Sequence, residues 1–168
     1  MIFMVFNIPI AGCKKIEDLL TFSISSECSM TINSTSPVGL PFEILTPNVT
    51  TNSSQQFKNN NSNADLVKDI RLEQLTCTIT NPQGKTFSFL QSVKIFVSTN
   101  SADEIELAHL DSIPPNATTI TLVSTNLKLD NYVKSSSYNL RTEAVTRETF
   151  TQNVNLQVKT KFKVTANL

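Results

Sequence analysis

The residues best equipped for chemistry are gathered between positions 103 and 111. His109 is the one histidine in the chain, and Asp103, Glu104, Glu106 and Asp111 are the densest carboxylate group. A histidine beside a carboxylate is the base half of a hydrolytic site, but it needs a hydroxyl or thiol nucleophile within hydrogen-bond reach. No G-x-S-x-G elbow presents such a nucleophile, because Gly12, Gly39 and Gly84 all lie elsewhere. Asp111 stands two residues from His109, and in a strand that spacing sets both on the face shared by Ile105 and Leu107. The plain reading of His109 is a half-buried sheet histidine, and a hydrolase using His109 and its neighbouring carboxylates is the enzymatic alternative. The four carboxylates are weak candidates for a hard cation such as Ca²⁺, which takes six to eight oxygens. A solvated strand edge protected by charge accounts for them more simply. No cofactor is implied.

Three cysteines, Cys13, Cys28 and Cys77, form no C-x-x-C and have no histidines at zinc spacing. With Cys13 set apart, Cys28 and Cys77 remain, either as a disulfide or as two small buried thiols. Lys159, Lys161 and Lys163 make a basic stripe, but no aromatic residue interleaves with it as a stacking platform for nucleic acid would require. A carbohydrate-binding sandwich is a further alternative, limited by two tyrosines, Tyr132 and Tyr138, and no tryptophan to stack on sugar rings. Five N-x-[ST] sequons, at Asn33, Asn48, Asn52, Asn60 and Asn116, arise readily in a chain this rich in Asn, Ser and Thr.

The elements that must position these residues are strands. Hydrophobic residues make up 39% of the 168 and charged ones 17%, low values for which Ser, Thr and Asn compensate. Fourteen basic and fourteen acidic side chains cancel, so no net field draws the chain to nucleic acid. From Asp65 onward apolar and polar residues alternate with period two. "LEQLTCTIT" sets Leu75, Cys77 and Ile79 on one face, while Ile70 and Leu72 are out of phase with them, predicting a bulge near Glu73. "NPQGK" reads as a turn, and Val93, Ile95 and Val97 follow on a strand. Ile120 with Leu122, and Tyr138 with Leu140, mark two more. In the final stretch, Val154, Leu156, Val158, Phe162, Val164, Ala166 and Leu168 share one face with a single polar member, Thr160. Roughly seven or eight such strands without a βαβ rhythm predict an antiparallel β-sandwich of immunoglobulin-like, Greek-key type. The stretch near 46–64, including "TTNSSQQFKNNNSN", reads as a long polar loop. "SNADLVKDIRLEQL" has some helical spacing but reads better as a turn leading into a strand. Near the start, Leu19 and Leu20 fit a helical turn with Ile16, and alternation begins at Phe22 and Ile24.

Residues 1–12, "MIFMVFNIPIAG", are apolar and end in small residues before Cys13, as a secretory leader does. "IAGC" resembles the bacterial lipobox, whose cysteine is acylated after the leader is removed. With an Asn/Thr-rich tether and then a β-sandwich beyond it, the chain resembles the small lipoproteins of Bacteroidetes-type bacteria. That resemblance implies a leader over 1–12, a lipidated segment with the first strand over 13–30, and a sandwich over 31–168. It implies lipidation at Cys13, a membrane anchor, and a place in the cell envelope as an outer-membrane lipoprotein. The function expected is a non-enzymatic binding or structural module that meets envelope protein partners.

Overall fold

A computed structural model describes residues 19–167. The clearest alternation in the sequence forms β9 (Val154–Asn167), where each buried residue is followed by an exposed or half-exposed one along all fourteen positions. A strand with one dry face must have sheet neighbours and an opposing layer. β9 has both: β1 (Leu19–Ile32) and β4 (Val67–Asn81) flank it as antiparallel partners along nearly its whole length. Leu19 and Leu20 belong to β1 from its first residue, because pairing with Asn167 and Ala166 draws them into the ladder instead of a helical turn.

The other strands are β2 (Pro41–Leu45), β3 (Val49–Thr50), β5 (Leu90–Ser98), β6 (Ile105–Leu110), β7 (Thr119–Ser124) and β8 (Ser137–Thr146). They run in the order β1-β9-β4-β7-β6-β5-β8-β2, every neighbouring pair antiparallel, with β3 added to β8. The curled sheet folds into two four-stranded layers, β1-β9-β4-β7 over β6-β5-β8-β2. They are joined by two residue pairs between β7 and β6 and left open between β1 and β2. With β3 set aside, the first strand pairs with the last, the second with the second-last, and so on inward: β1 with β9, β2 with β8, β4 with β7, β5 with β6. A long ribbon wound on itself in this way is a jelly roll, which contains two Greek keys. The antiparallel Greek-key sandwich forms as expected. The finer immunoglobulin-like arrangement does not, because the connections cross between layers in jelly-roll order.

Both faces of the filling are where alternation places them. Leu75, Cys77, Val93, Ile95, Val97, Ile120, Leu122, Tyr138, Leu140, Val154, Val158 and Val164 are all at most 4% exposed. The register of β4 against β9 slips between Leu72 and Gln74, so the expected bulge sits at Glu73. The 81–85 turn has a cis Asn81–Pro82 peptide and places Gly84 at φ 74°, where a Cβ would be strained.

The polar stretch near 46–64 departs from expectation. It holds β3 and a seven-residue helix, α1 (Ser53–Asn59), whose Phe57 is 1% exposed and packs edge-on against Phe22 at 6.3 Å. One buried aromatic is enough to seat the helix over the sandwich, although the surrounding Ser, Asn and Gln give no apolar period. A second short helix, α2 (Asp130–Lys134), lies along the part of β4 that β7 does not reach. Leu129 donates its N–H to the Ile70 carbonyl at 2.8 Å, and the Asp130 carboxylate accepts the Ile70 N–H at 3.2 Å.

Candidate functional site

The pairing of β5 with β6 slips between Ile95 and Phe96, so that Ala108 faces Ile95 and Glu106 faces Phe96. Leu107 is the extra residue, and it is buried together with Ala108. This bulge reverses the alternation expected through "EIELAHL". His109 leaves the face of Leu107 and lies on the outer surface, beside Lys94 on β5 and Val123 on β7. The same kink brings Glu106 to it, with Nδ1 and Oε1 2.8 Å apart and both side chains about one-third exposed. Asp111 is exposed, and the carboxylate that meets His109 is that of Glu106. Among the described residues, His109 makes no hydrogen bond to a hydroxyl or thiol.

The remaining carboxylates are engaged separately. Asp103 accepts the N–H groups of Thr99 and Asn100 at 2.8 and 3.0 Å, and the Thr99 hydroxyl. That hydroxyl bond, more than the backbone ones, holds its carboxyl below the usual range. Glu104 takes a two-pronged contact from Arg141, with Nη2 at 2.7 Å and Nε at 3.0 Å, and its carboxyl too is held low by that hydrogen bond. Arg141 also reaches Glu43 at 2.8 Å and lies over the Phe96 ring at 4.2 Å from its centroid. Guanidinium on an aromatic face with bidentate carboxylate contact is a rigidifying arrangement. The four carboxylates therefore do not converge, and among the described residues no group of three or more His, Cys, Asp or Glu is placed to hold a metal.

Cys28 and Cys77 are free thiols, not a disulfide. Both stand opposite Val158, one from each side, so β9 runs between them. Two ladder spacings separate their Cα atoms by roughly 9.5 Å, beyond what a disulfide spans. Burial pushes the Cys28 thiol up to about 11 and the Cys77 thiol to about 12, which keeps both protonated and unreactive. The tyrosines are buried as well, Tyr132 at 8% and Tyr138 at 2% exposure, and neither offers a ring face to a sugar.

Tyr138 answers the question of Thr160. The Tyr138 hydroxyl crosses from β8 to the opposite layer, where it lies 2.7 Å from Ser26 Oγ and 3.3 Å from Thr160 Oγ1. Ser26 and Thr160 are themselves 2.8 Å apart. Three hydroxyls satisfy one another in the core, a tie between layers that carries no reactive group.

On the outside of the same layer, Ser25, Glu27, Gln74, Thr76, Lys159 and Lys161 line a shallow polar groove of about 450 Å³. Its charges are paired. Lys161 donates to Glu73 at 3.0 Å, Ser23 adds a bond to the same carboxylate at 2.9 Å, and Lys159 lies 3.7 Å from Glu27. The Lys161 hydrogen bond, ahead of the Ser23 one, lowers the Glu73 carboxyl. The bulge at Glu73 is what swings this carboxylate over β9. Such a groove suits a polar ligand or the surface of a partner and supplies no catalytic group.

No protein-family profile matches the chain, and no curated protein does. Among solved structures it is similar to one titled Desmodium yellow mottle tymovirus, at 12% identity over 98% of this chain and 95% of that one, with a TM-score of 0.33. It is similar also to a crystal structure of FlhE, at 9% identity over 87% of this chain and 98% of that one, with a TM-score of 0.29. Likeness this low carries no argument about function.

Cys13 and the apolar stretch over 1–12 lie outside the described residues. The lysine stripe is visible in the sequence, but the pairing of Lys159 with Glu27 and of Lys161 with Glu73 is not. Those partners come from strands 132 and 88 residues away by the contacts above, 159 − 27 and 161 − 73.

Proposed function

We propose that this chain is a non-enzymatic, membrane-tethered binding or structural module of the bacterial cell envelope, anchored at the outer membrane by lipid on Cys13. The observation that carries the reading is the position of the lipobox-like cysteine relative to the folded body. "IAGC" ends at Cys13, and β1 begins at Leu19, six residues later (19 − 13) at the edge of a layer. Six residues span at most about 20 Å. A lipid on Cys13 would therefore hold the sandwich close to the bilayer surface while leaving its faces free. Two or three acyl chains suffice for stable anchoring, since each buried methylene contributes about 0.8 kcal/mol.

The side chains support a module over an enzyme. His109 is engaged by Glu106, Glu104 by Arg141, and Asp103 by its own turn. What the molecule presents instead is the polar groove along β1, β9 and β4, the surface proposed to meet an envelope partner.

Intact mass after expression in a bacterium, with the native upstream DNA, tests the anchor. A mature chain that begins at Cys13 and carries acyl mass is expected, and Cys13→Ser is expected to remain unprocessed and unacylated. An unmodified wild-type chain that keeps Met1 overturns the proposal.

A further inference from the structure

The free edges of the sandwich are not treated alike. Where β4 runs past β7, the 129–134 segment covers it through Leu129, Asp130 and Lys134, the last donating to the Val67 carbonyl at 3.1 Å. β2 is five residues long, begins with Pro41, carries Glu43 and is followed by Pro47. Shortness, proline, charge and a covering helix are the means by which sheets avoid joining edge to edge. Of these, β1 has over its second half only the charge of Glu27. It is fourteen residues long, keeps unbroken register with β9 and contains no Pro or Lys.

A single clamp fixes which way its backbone points. The Ser25 N–H donates to Gln56 Oε1 at 2.9 Å, and Gln56 Nε2 donates back to the Ser25 carbonyl at 3.1 Å. The backbone groups of Ser25 therefore face away from β9. By antiparallel alternation so do those of Glu27, Ser29 and Thr31. The side chains of these three are exposed, and among the described residues their edge-facing groups have no backbone partner. β2 approaches across the open side of the sandwich but shares no ladder pair with β1.

We infer that this edge pairs with the same edge of a second copy of the chain, antiparallel about a two-fold axis at Ser29. Charge selects the register. Glu27 is the one charged residue of β1. An axis at Glu27 would set two carboxylates against each other and run the added strand into Gln56. An axis at Thr31 would leave Glu27 opposite position 35, beyond the end of the strand. The axis at Ser29 places Glu27 opposite Thr31 of the second copy and uses all three open positions in both chains. Each such pair exchanges two hydrogen bonds, about six in all. Helix α1, standing at Ser25, stops the pairing there. The two β4-β9-β1 layers become one continuous sheet, an isologous contact that closes on itself.

Sedimentation of the full chain tests this. Wild type is expected at twice the chain mass. Ser29 faces solvent, so Ser29→Lys and Ser29→Glu are expected to keep the wild-type circular dichroism and a cooperative melting transition. Each alone is expected at the mass of one chain, because like charges meet at the axis. Mixed in equal amounts they are expected to recover the double mass, since Lys then faces Glu. Wild type at the mass of one chain up to sub-millimolar concentration overturns the inference. So does a dimer that either variant leaves intact, a mixture that fails to reassociate, or an edge that accepts an unrelated extended peptide while the chain stays monomeric.

Discussion

Thr160 shows how one residue out of pattern is explained by residues far from it in the chain. Its hydroxyl stands in an otherwise apolar row of β9 and is 3% exposed. A buried hydroxyl without a partner costs on the order of 1–3 kcal/mol, so Ser26 and Tyr138 are needed where they are. Tyr138→Phe should therefore destabilise the fold by about 1–2 kcal/mol, measured by urea unfolding. The cost of Tyr138→Phe together with Thr160→Val should fall short of the sum of the two single costs, as expected for one network. Strictly additive costs would show that the hydroxyls act independently. His109 teaches the converse lesson at the same scale. Its face follows from a one-residue bulge at Leu107 that nothing in "EIELAHL" announces, because every residue there is compatible with unbroken alternation.

Among the elements, α1 is one that sequence patterning misses. A seven-residue helix is too short to be stable alone or to show a helical period. Tertiary contact through Phe57 makes it. Asn52 and Asn61, at φ 48° and 54°, supply the left-handed turns at its two ends. Phe57→Ala should cost about 3–5 kcal/mol in unfolding free energy, as large aromatic truncations in cores do. It should also release Gln56 from Ser25, so that the Ser25 amide exchanges faster with solvent deuterium. Gln55→Ala, on the outer side of the same helix, should change neither. Equal exchange at Ser25 in wild type and Phe57→Ala would mean that α1 is held by something other than its aromatic side chain.

For the whole molecule, the jelly roll brings two thiols into an apolar interior and so links stability to alkaline pH. The thiols of Cys28 and Cys77 rise from 9.0 to about 11 and about 12 on burial. The folded chain then holds protons that the unfolded chain releases above pH 9. Stability from this source is complete below the unfolded thiol value and is lost as pH rises towards 11 and 12. Tyr138, also raised by desolvation, acts in the same direction. Unfolding free energy measured across this alkaline range should fall with pH, and the slope should be shallower in Cys28→Ala/Cys77→Ala even though that variant starts less stable. An unchanged slope would remove the thiols from the account. The architecture itself assigns no role, because jelly rolls serve unrelated purposes.

What the sequence by itself determined is the class of fold and the faces of its strands. Period-two alternation is a local property, and it places Val93, Ile95, Val97 and every second residue of β9 inward without knowledge of any partner. The bulge at Glu73 was legible for the same reason, since a phase break between Leu72 and Leu75 is written in consecutive residues. The tertiary structure alone decided which strands neighbour one another. That choice set β9 between Cys28 and Cys77, gave His109 to Glu106, and matched the lysine stripe with Glu27 and Glu73. Such pairings depend on contacts between residues far apart in the chain, 134 positions in the case of Ser26 and Thr160. Alternation says which way a side chain points along its own strand, and only the closing of the jelly roll says what it meets there.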